Sequence, residues 1–263
     1  MPGKDRHLTV LSVGATGSIG THVVDEALAS GHRVRALLRA PGKLAPGPGL
    51  EVVIADLTQP RSLRAAVEGV DAIVFTHGTY GSPREAEGVD YGGVRNVLVA
   101  LAGRPVRIAL MTAIAVTDRK GAHDWKRRAE RLVRVSGNPF TIVRPGWFDA
   151  NAPDQLHLSF LQGDMRQSGT PRDGVVARRQ IARVLVRSLT SQAAARKTFE
   201  LITEVGREQT DLDPLFAALD ADAIGAVDAA RDAANMGLGA EPASVLADLK
   251  SLCAVAAVKE RLP

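Results

Sequence analysis

The chain of 263 residues holds one cysteine, Cys253, which excludes an internal disulfide and fits a reducing, cytoplasmic setting. Cys253 lies in a late apolar stretch, where burial explains it better than reactivity. No apolar run reaches roughly 18 residues, the length that spans a membrane, and the short polar N-terminus is not a signal peptide. The six histidines are dispersed, with neither H-E-x-x-H nor an i, i+4 pair, so no metal site is expected. No G-x-S-x-G elbow offers a hydrolase nucleophile. Aromatics make up 4% of the residues and the net charge is +4. No aromatics interleave with the basic residues, and the densest basic run, Lys126-Arg127-Arg128, shares its helix with Glu130. Nucleic acid is therefore not an expected partner.

What is present starts at Leu8. An apolar run of strand length ends in Gly14-Ala15-Thr16-Gly17-Ser18-Ile19-Gly20, and a helical pattern begins at once. Strand, tight glycine turn and helix together place a pyrophosphate on a helix N-terminus. Gly14 permits the sharp exit from the strand, Gly17 lets the backbone approach phosphate, and Gly20 brings the helix close. Thr16, Ser18 and Ile19 are candidate contacts to the same dinucleotide.

An acid is missing from the second strand, His32 to Arg39. In an NAD site an Asp or Glu about 20 residues past the glycines accepts from the ribose 2′-hydroxyl. Here Arg39 ends the strand and Lys43 follows. A planar guanidinium suits a 2′-phosphate, so NADP(H) is favoured over NAD(H). Arg35, on the same strand face, is a weaker candidate for that contact.

Apolar strand runs (8–13, 33–38, 50–54, 71–76, 106–112, 139–143, 198–202) alternate with helical patterns (18–30, 60–68, 86–102, 122–136, 178–190). That alternation predicts an α/β fold, a doubly wound parallel sheet with ligands at the carboxyl ends of its strands. Residues 150–173 read as a long loop able to cover a pocket. Residues 1–206 read as the dinucleotide-binding domain and 207–263 as a helical C-terminal extension, with helices near 211–219, 223–234 and 241–255. The extension carries ten acids against five bases, which leaves the first 206 residues at +9. This acidic tail either folds back on the basic body or makes a subunit contact, so a homodimer stays open.

Together the glycine turn, Ala55-Asp56-Leu57, Val89-Asp90-Tyr91-Gly92-Gly93-Val94-Arg95-Asn96 and Thr141-Ile-Val-Arg-Pro-Gly146 resemble the short-chain dehydrogenase/reductase superfamily, in its atypical NmrA-like, NAD(P)-binding branch. The resemblance spans about Leu8 to Glu204. It implies that Asp56 and Leu57 contact adenine, that Thr76, His77 and Gly78 line the cofactor, and that Arg144–Gly146, Pro145 included, sits beside nicotinamide. It also implies a catalytic Tyr-x-x-x-Lys on a helix and a Ser or Thr ending the fifth strand. Lys126 and Thr112 match the lysine and the hydroxyl. The tyrosine position is Ala122, and the asparagine expected on the preceding helix is Asp90.

Alanine cannot transfer a proton. His123 or Asp124 could act as the acid/base, imidazole having a suitable pKa range. Tyr80 or Tyr91 could reach in from a loop, or hydride could pass to an acceptor, such as a quinone or flavin, that draws its proton from water. His123 and Asp124 read equally well as surface residues at a helix start, and Trp125 reads as packing. Trp147 and His157 are placed on the substrate side by position alone. The expected function is NADPH-dependent reduction of a small organic substrate of carbonyl, quinone or flavin type. One alternative is a non-catalytic NADP(H) redox sensor. The other is a nucleotide-sugar epimerase or dehydratase.

Overall fold

The computed structural model describes residues 7–79 and 81–259. Ten strands run β1 Thr9–Val13, β2 Arg33–Leu38, β3 Leu50–Ile54, β4 Ala72–Phe75, β5 Arg107–Met111, β6 Phe140–Pro145, β7 Trp147–Phe148, β8 His157–Leu161, β9 Val175–Val176 and β10 Lys197–Glu204. The α-helices are α1 Gly20–Ala29, α2 Leu63–Val67, α3 Pro83–Ala86, α4 Gly92–Ala100, α5 Ala122–Val135, α6 Arg178–Ser188, α7 Asp213–Ala217 and α8 Ala243–Lys259.

Eight strands form one sheet in the order β3-β2-β1-β4-β5-β6-β10-β8. All neighbours are parallel except β8, which runs antiparallel to β10. Alternation sends Val10, Val34, Val74 and Phe199 to an apolar layer under α1 and α6. Leu11, Val13, Ile73 and Phe75 go to the layer under α2, α4 and α5. Burial on both faces is why these strands read as unbroken apolar runs. The strand order reverses between β1 and β4, and in open α/β sheets ligands bind outside the carboxyl ends of the strands at such a point.

The structure departs from the sequence reading in three places. The supposed loop 150–173 contains β8, whose Phe160 stacks on Phe199 of β10 at 4.3 Å. As an edge strand with Leu158 as its one fully buried residue, it lacks the long apolar run of a central strand. Residues 223–234 form turns rather than a helix, because their Ala/Asp pattern has no apolar stripe to bury. Cys253 is exposed. Helix α8 lies on the molecule through Val245, Leu249 and Leu252, a spacing of one helix face that leaves residue 253 outside.

The acidic tail folds back on the body of the same chain. Asp228 pairs with Arg127 and Arg131, Glu241 with Arg128 and Arg131, and Asp222 with Arg134. Arg127 and Arg131 are fully buried by it. Among the described residues no helix is long and apolar enough to cross a membrane, and no three His, Cys, Asp or Glu side chains are placed to hold a metal.

Candidate cofactor and active site

The glycine turn joins β1 to α1 at the reversal of strand order. Gly14 has φ +93° and lies so close to the β4 loop that a Cβ would stand 2.7 Å from the His77 backbone nitrogen. A Cβ on Gly20 would stand 1.9 Å from the Gly14 carbonyl oxygen. Helix α1 therefore starts in contact with the turn. Its N-cap is Ile19, which supplies no side-chain cap, and its first turn holds no acid. The positive end of a ten-residue helix is thus left for an anion, with Gly17 and Ser18 exposed beside it. This cradle fits the pyrophosphate of a dinucleotide.

Arg39 follows the last residue of β2, is exposed, and makes no hydrogen bond or ion pair with a described residue. Arg35 is already engaged. It caps the end of α2 through the carbonyls of Ala65, Ala66 and Glu68 and pairs with Glu51 at 3.0 Å. Asp56 accepts from the Thr58 amide and hydroxyl, both at 2.8 Å. Those bonds, with a smaller contribution from Arg39, hold its carboxyl below the usual range. The Leu57 carbonyl accepts from Asn96 on α4 at 2.7 Å, which fixes the loop after β3.

At the end of β4, Thr76 is buried and donates to the Val13 carbonyl at 3.2 Å. The His77 ring meets the Val89 carbonyl at 3.1 Å. Burial, opposed by Asp90 and reinforced by Lys126, pushes its imidazole down to about 4. His77 is therefore neutral across the physiological range.

Lys126 of α5 forms an ion pair with Asp90. Asp90 sits on a π turn, Glu87–Tyr91, that interrupts the expected long helix between α3 and α4. Such turns recur at functional sites because they re-aim a side chain. The second Asp90 oxygen accepts from the Thr79 hydroxyl at 2.8 Å. Gly78 lets the β4 loop close on the pair, since a Cβ there would lie 3.1 Å from Asp90 Oδ1 and 3.3 Å from Lys126 Nζ.

The remaining acid/base candidates are engaged elsewhere. Thr112 donates its hydroxyl proton to Glu130 at 2.7 Å. Burial pushes Glu130 up, but Arg144, Arg134 and Thr112 outweigh it and hold the carboxyl at about 2. His123 Nδ1 lies 2.9 Å from the Ala115 carbonyl and 3.1 Å from Asp118, and Asp124 pairs with Arg119. Tyr91 packs on Trp125 and donates to Asp248 of α8 at 2.8 Å. Tyr80 lies outside the described residues. Trp147, just past Pro145, is 43% exposed. His157 stands on the outer strand β8, bonded to Arg207 and Gln209.

The structure thus gathers the glycine turn, Thr76–Gly78, Lys126 and Thr112 at the carboxyl ends of β1, β4 and β5. Sequence reasoning did not anticipate Glu130 or Asp164, the latter holding the β5–α5 loop through Ala115 and Thr117. Glu130 carried one signal, an acid four residues before Arg134 in a helix rich in Lys and Arg.

The fold is of the Rossmann type, with a glycine turn of the kind that cradles a dinucleotide at the reversal of strand order. A family model described as NAD(P)H-binding matches residues 14–192, and the chain belongs to that family. It is 32% identical over 218 residues to (4-alkanoyl-5-oxo-2,5-dihydrofuran-3-yl)methyl phosphate reductase of Streptomyces griseus, covering 76% of this chain and 71% of that protein. It is 26% identical over 271 residues to sanguinarine reductase of Eschscholzia californica, covering 82% and 98%. The crystal structure of an oxidoreductase from Lactococcus lactis superposes with a TM-score of 0.66 at 15% identity, covering 81% of this chain and 96% of that one.

Proposed function

We propose that the protein uses NADPH, in preference to NADH, to reduce a small organic acceptor. Arg39 carries this reading: an exposed guanidinium, with no hydrogen bond or ion pair to a described residue, stands where an NAD site would place an acid. Residues Gly14–Gly20 would hold the pyrophosphate, Arg39 the 2′-phosphate, Asp56 and Leu57 the adenine side, and Thr76–Gly78, Lys126 and Pro145 the nicotinamide half. Bound NADPH supplies a hydride. Lys126, kept in place by Asp90, presents the positive charge on this side of the site.

The proton inventory narrows the acceptor. Ala122 offers none, and the Thr112 hydroxyl is directed at Glu130. An acceptor of quinone or flavin type, protonated from solvent, suits this site better than a simple ketone. The two reductases among the relatives support the reductive direction. The test is NADPH oxidation by purified protein against quinones, flavins and aldehydes. Turnover is expected with the first two, and Lys126→Ala should lower it by about 100-fold, the low end of what one preorganised electrostatic donor contributes. No turnover with any acceptor, together with different affinities for NADP⁺ and NADPH, would favour the redox sensor instead.

A further inference from the structure

The ion pairs of the tail converge on one buried guanidinium. Arg144 is filled on one side by Glu130, at 3.0 Å from Nε and 2.7 Å from Nη2. Asp232 of the tail takes Nη1 and Nη2, both at 2.8 Å. Glu200, opposite Arg144 on β10, places Oε1 3.5 Å from the same Nη1. Two carboxylates from different elements therefore face one nitrogen, and the tail holds it.

Glu200 bears the mark of the excluded partner. Its Oε1 is buried without a hydrogen bond, and Oε2 accepts only the Asp164 amide, at 3.1 Å. The charged groups around it are Arg144 from β6, Glu130 and Arg134 from α5, Asp164 from the loop after β8, and Asp232 and Asp222 from the tail. Arg134 and Asp222 meet at Thr198, two residues back along β10 on the same face. The other carboxylates already outnumber the guanidiniums, so a further negative charge is unfavourable. Burial, with Asp164 adding to it and Arg144 opposing, pushes Glu200 up to about 8.

We propose that residues 220–241 form a proton-linked latch, in which Asp232 and Glu200 compete for Arg144 and docking of the strap is tied to a proton on Glu200. When Asp232 withdraws, Glu200 becomes the nearest free carboxylate to Arg144 and gives up its proton to solvent. The docked form holds one more proton than the released form, so rising pH favours release. The strap is suited to this because charge holds it. Between residues 220 and 241 the buried apolar side chains are Ala229 and Met236.

Release reaches the candidate site. Asn235 of the strap donates to the Thr117 carbonyl at 2.9 Å, and its backbone carbonyl accepts from Arg119. Both partners lie on the β5–α5 loop, where Ala115 and Arg119 are held at φ +60° and +62°. A loop in that conformation depends on its surroundings to stay there. Asp232, Arg144, Glu130 and Thr112 also form an unbroken chain of contacts from the strap to the end of β5.

The test is amide hydrogen exchange of residues 220–241 in the full chain, corrected for the intrinsic rate and referred to β1 and β4. For wild type, protection should fall between about pH 5 and about pH 8, by up to about tenfold per pH unit, the limit for one linked proton, and level off above that, where the docked form has lost the proton as well. Glu200→Gln, a neutral mimic of the protonated acid, should keep the strap protected across that range. Asp232→Asn should expose the strap already at the acid end of that range and remove most of its pH dependence. If Glu200→Gln folds poorly, wild type against Asp232→Asn decides. Constant wild-type protection, or the same loss in wild type and Glu200→Gln or in wild type and Asp232→Asn, would overturn the latch.

Discussion

Arg144→Ala should destabilise the protein by about 3–5 kcal/mol, the cost of breaking a buried ion pair from one side. Arg144 is fully buried. It bridges Glu130, Asp232 and, more distantly, Glu200. Truncation leaves the buried side chains of Glu130 and Asp232 without this partner, with Arg134 the one described guanidinium remaining on Glu130. At about 2–4 °C per kcal/mol for a chain of this size, the melting temperature should fall by roughly 10 °C. Arg144→Met combined with Glu130→Gln should cost less than the sum of the two single changes, because each removes the penalty that the other exposes. A loss under about 1 kcal/mol for Arg144→Ala, on the scale of exposed ion pairs, would mean that the network is solvated.

Gly20→Ala should abolish dinucleotide binding, or weaken it by about 100-fold, the scale of a 1 Å misplacement of a binding group. The added Cβ would stand 1.9 Å from the Gly14 carbonyl oxygen, which is backbone and cannot swing aside. Either α1 retreats or the turn opens, and both move the amides of the cradle. Gly47→Ala is the matched control, since a Cβ there meets nothing within 4 Å. It should leave affinity unchanged. Isothermal titration with NADPH reads both. Tight binding by Gly20→Ala would place the cofactor elsewhere.

The candidate cofactor half of the site was legible because its signals are local. Gly14, Gly17 and Gly20 lie within seven residues, and the absence of an acid beside Arg39 is read from one strand. The central strands were legible because burial on both faces writes a continuous apolar run. The acid/base half was not, because tertiary partners decide it. Lys126-Arg127-Arg128 is the densest basic run of the sequence, yet Arg127 is fully buried. Its partners Asp228 and Asn235 lie more than a hundred residues away, beyond any pattern of spacing. The same holds for Thr112, whose hydroxyl is a free donor in sequence and is directed at Glu130 in the fold. The tail showed its charge in its composition, but not that its Asp and Glu residues would replace an apolar helix over α5.

The most direct measurement is a titration of wild type and Arg39→Ala with NADPH and with NADH. Wild type should bind NADPH more tightly by about 10- to 100-fold, the worth of a charge-assisted phosphate contact. Arg39→Ala should lose most of that difference while its NADH affinity stays unchanged. Equal affinity of wild type for the two nucleotides, or a preference that survives Arg39→Ala, would contradict the assignment of Arg39 to the 2′-phosphate.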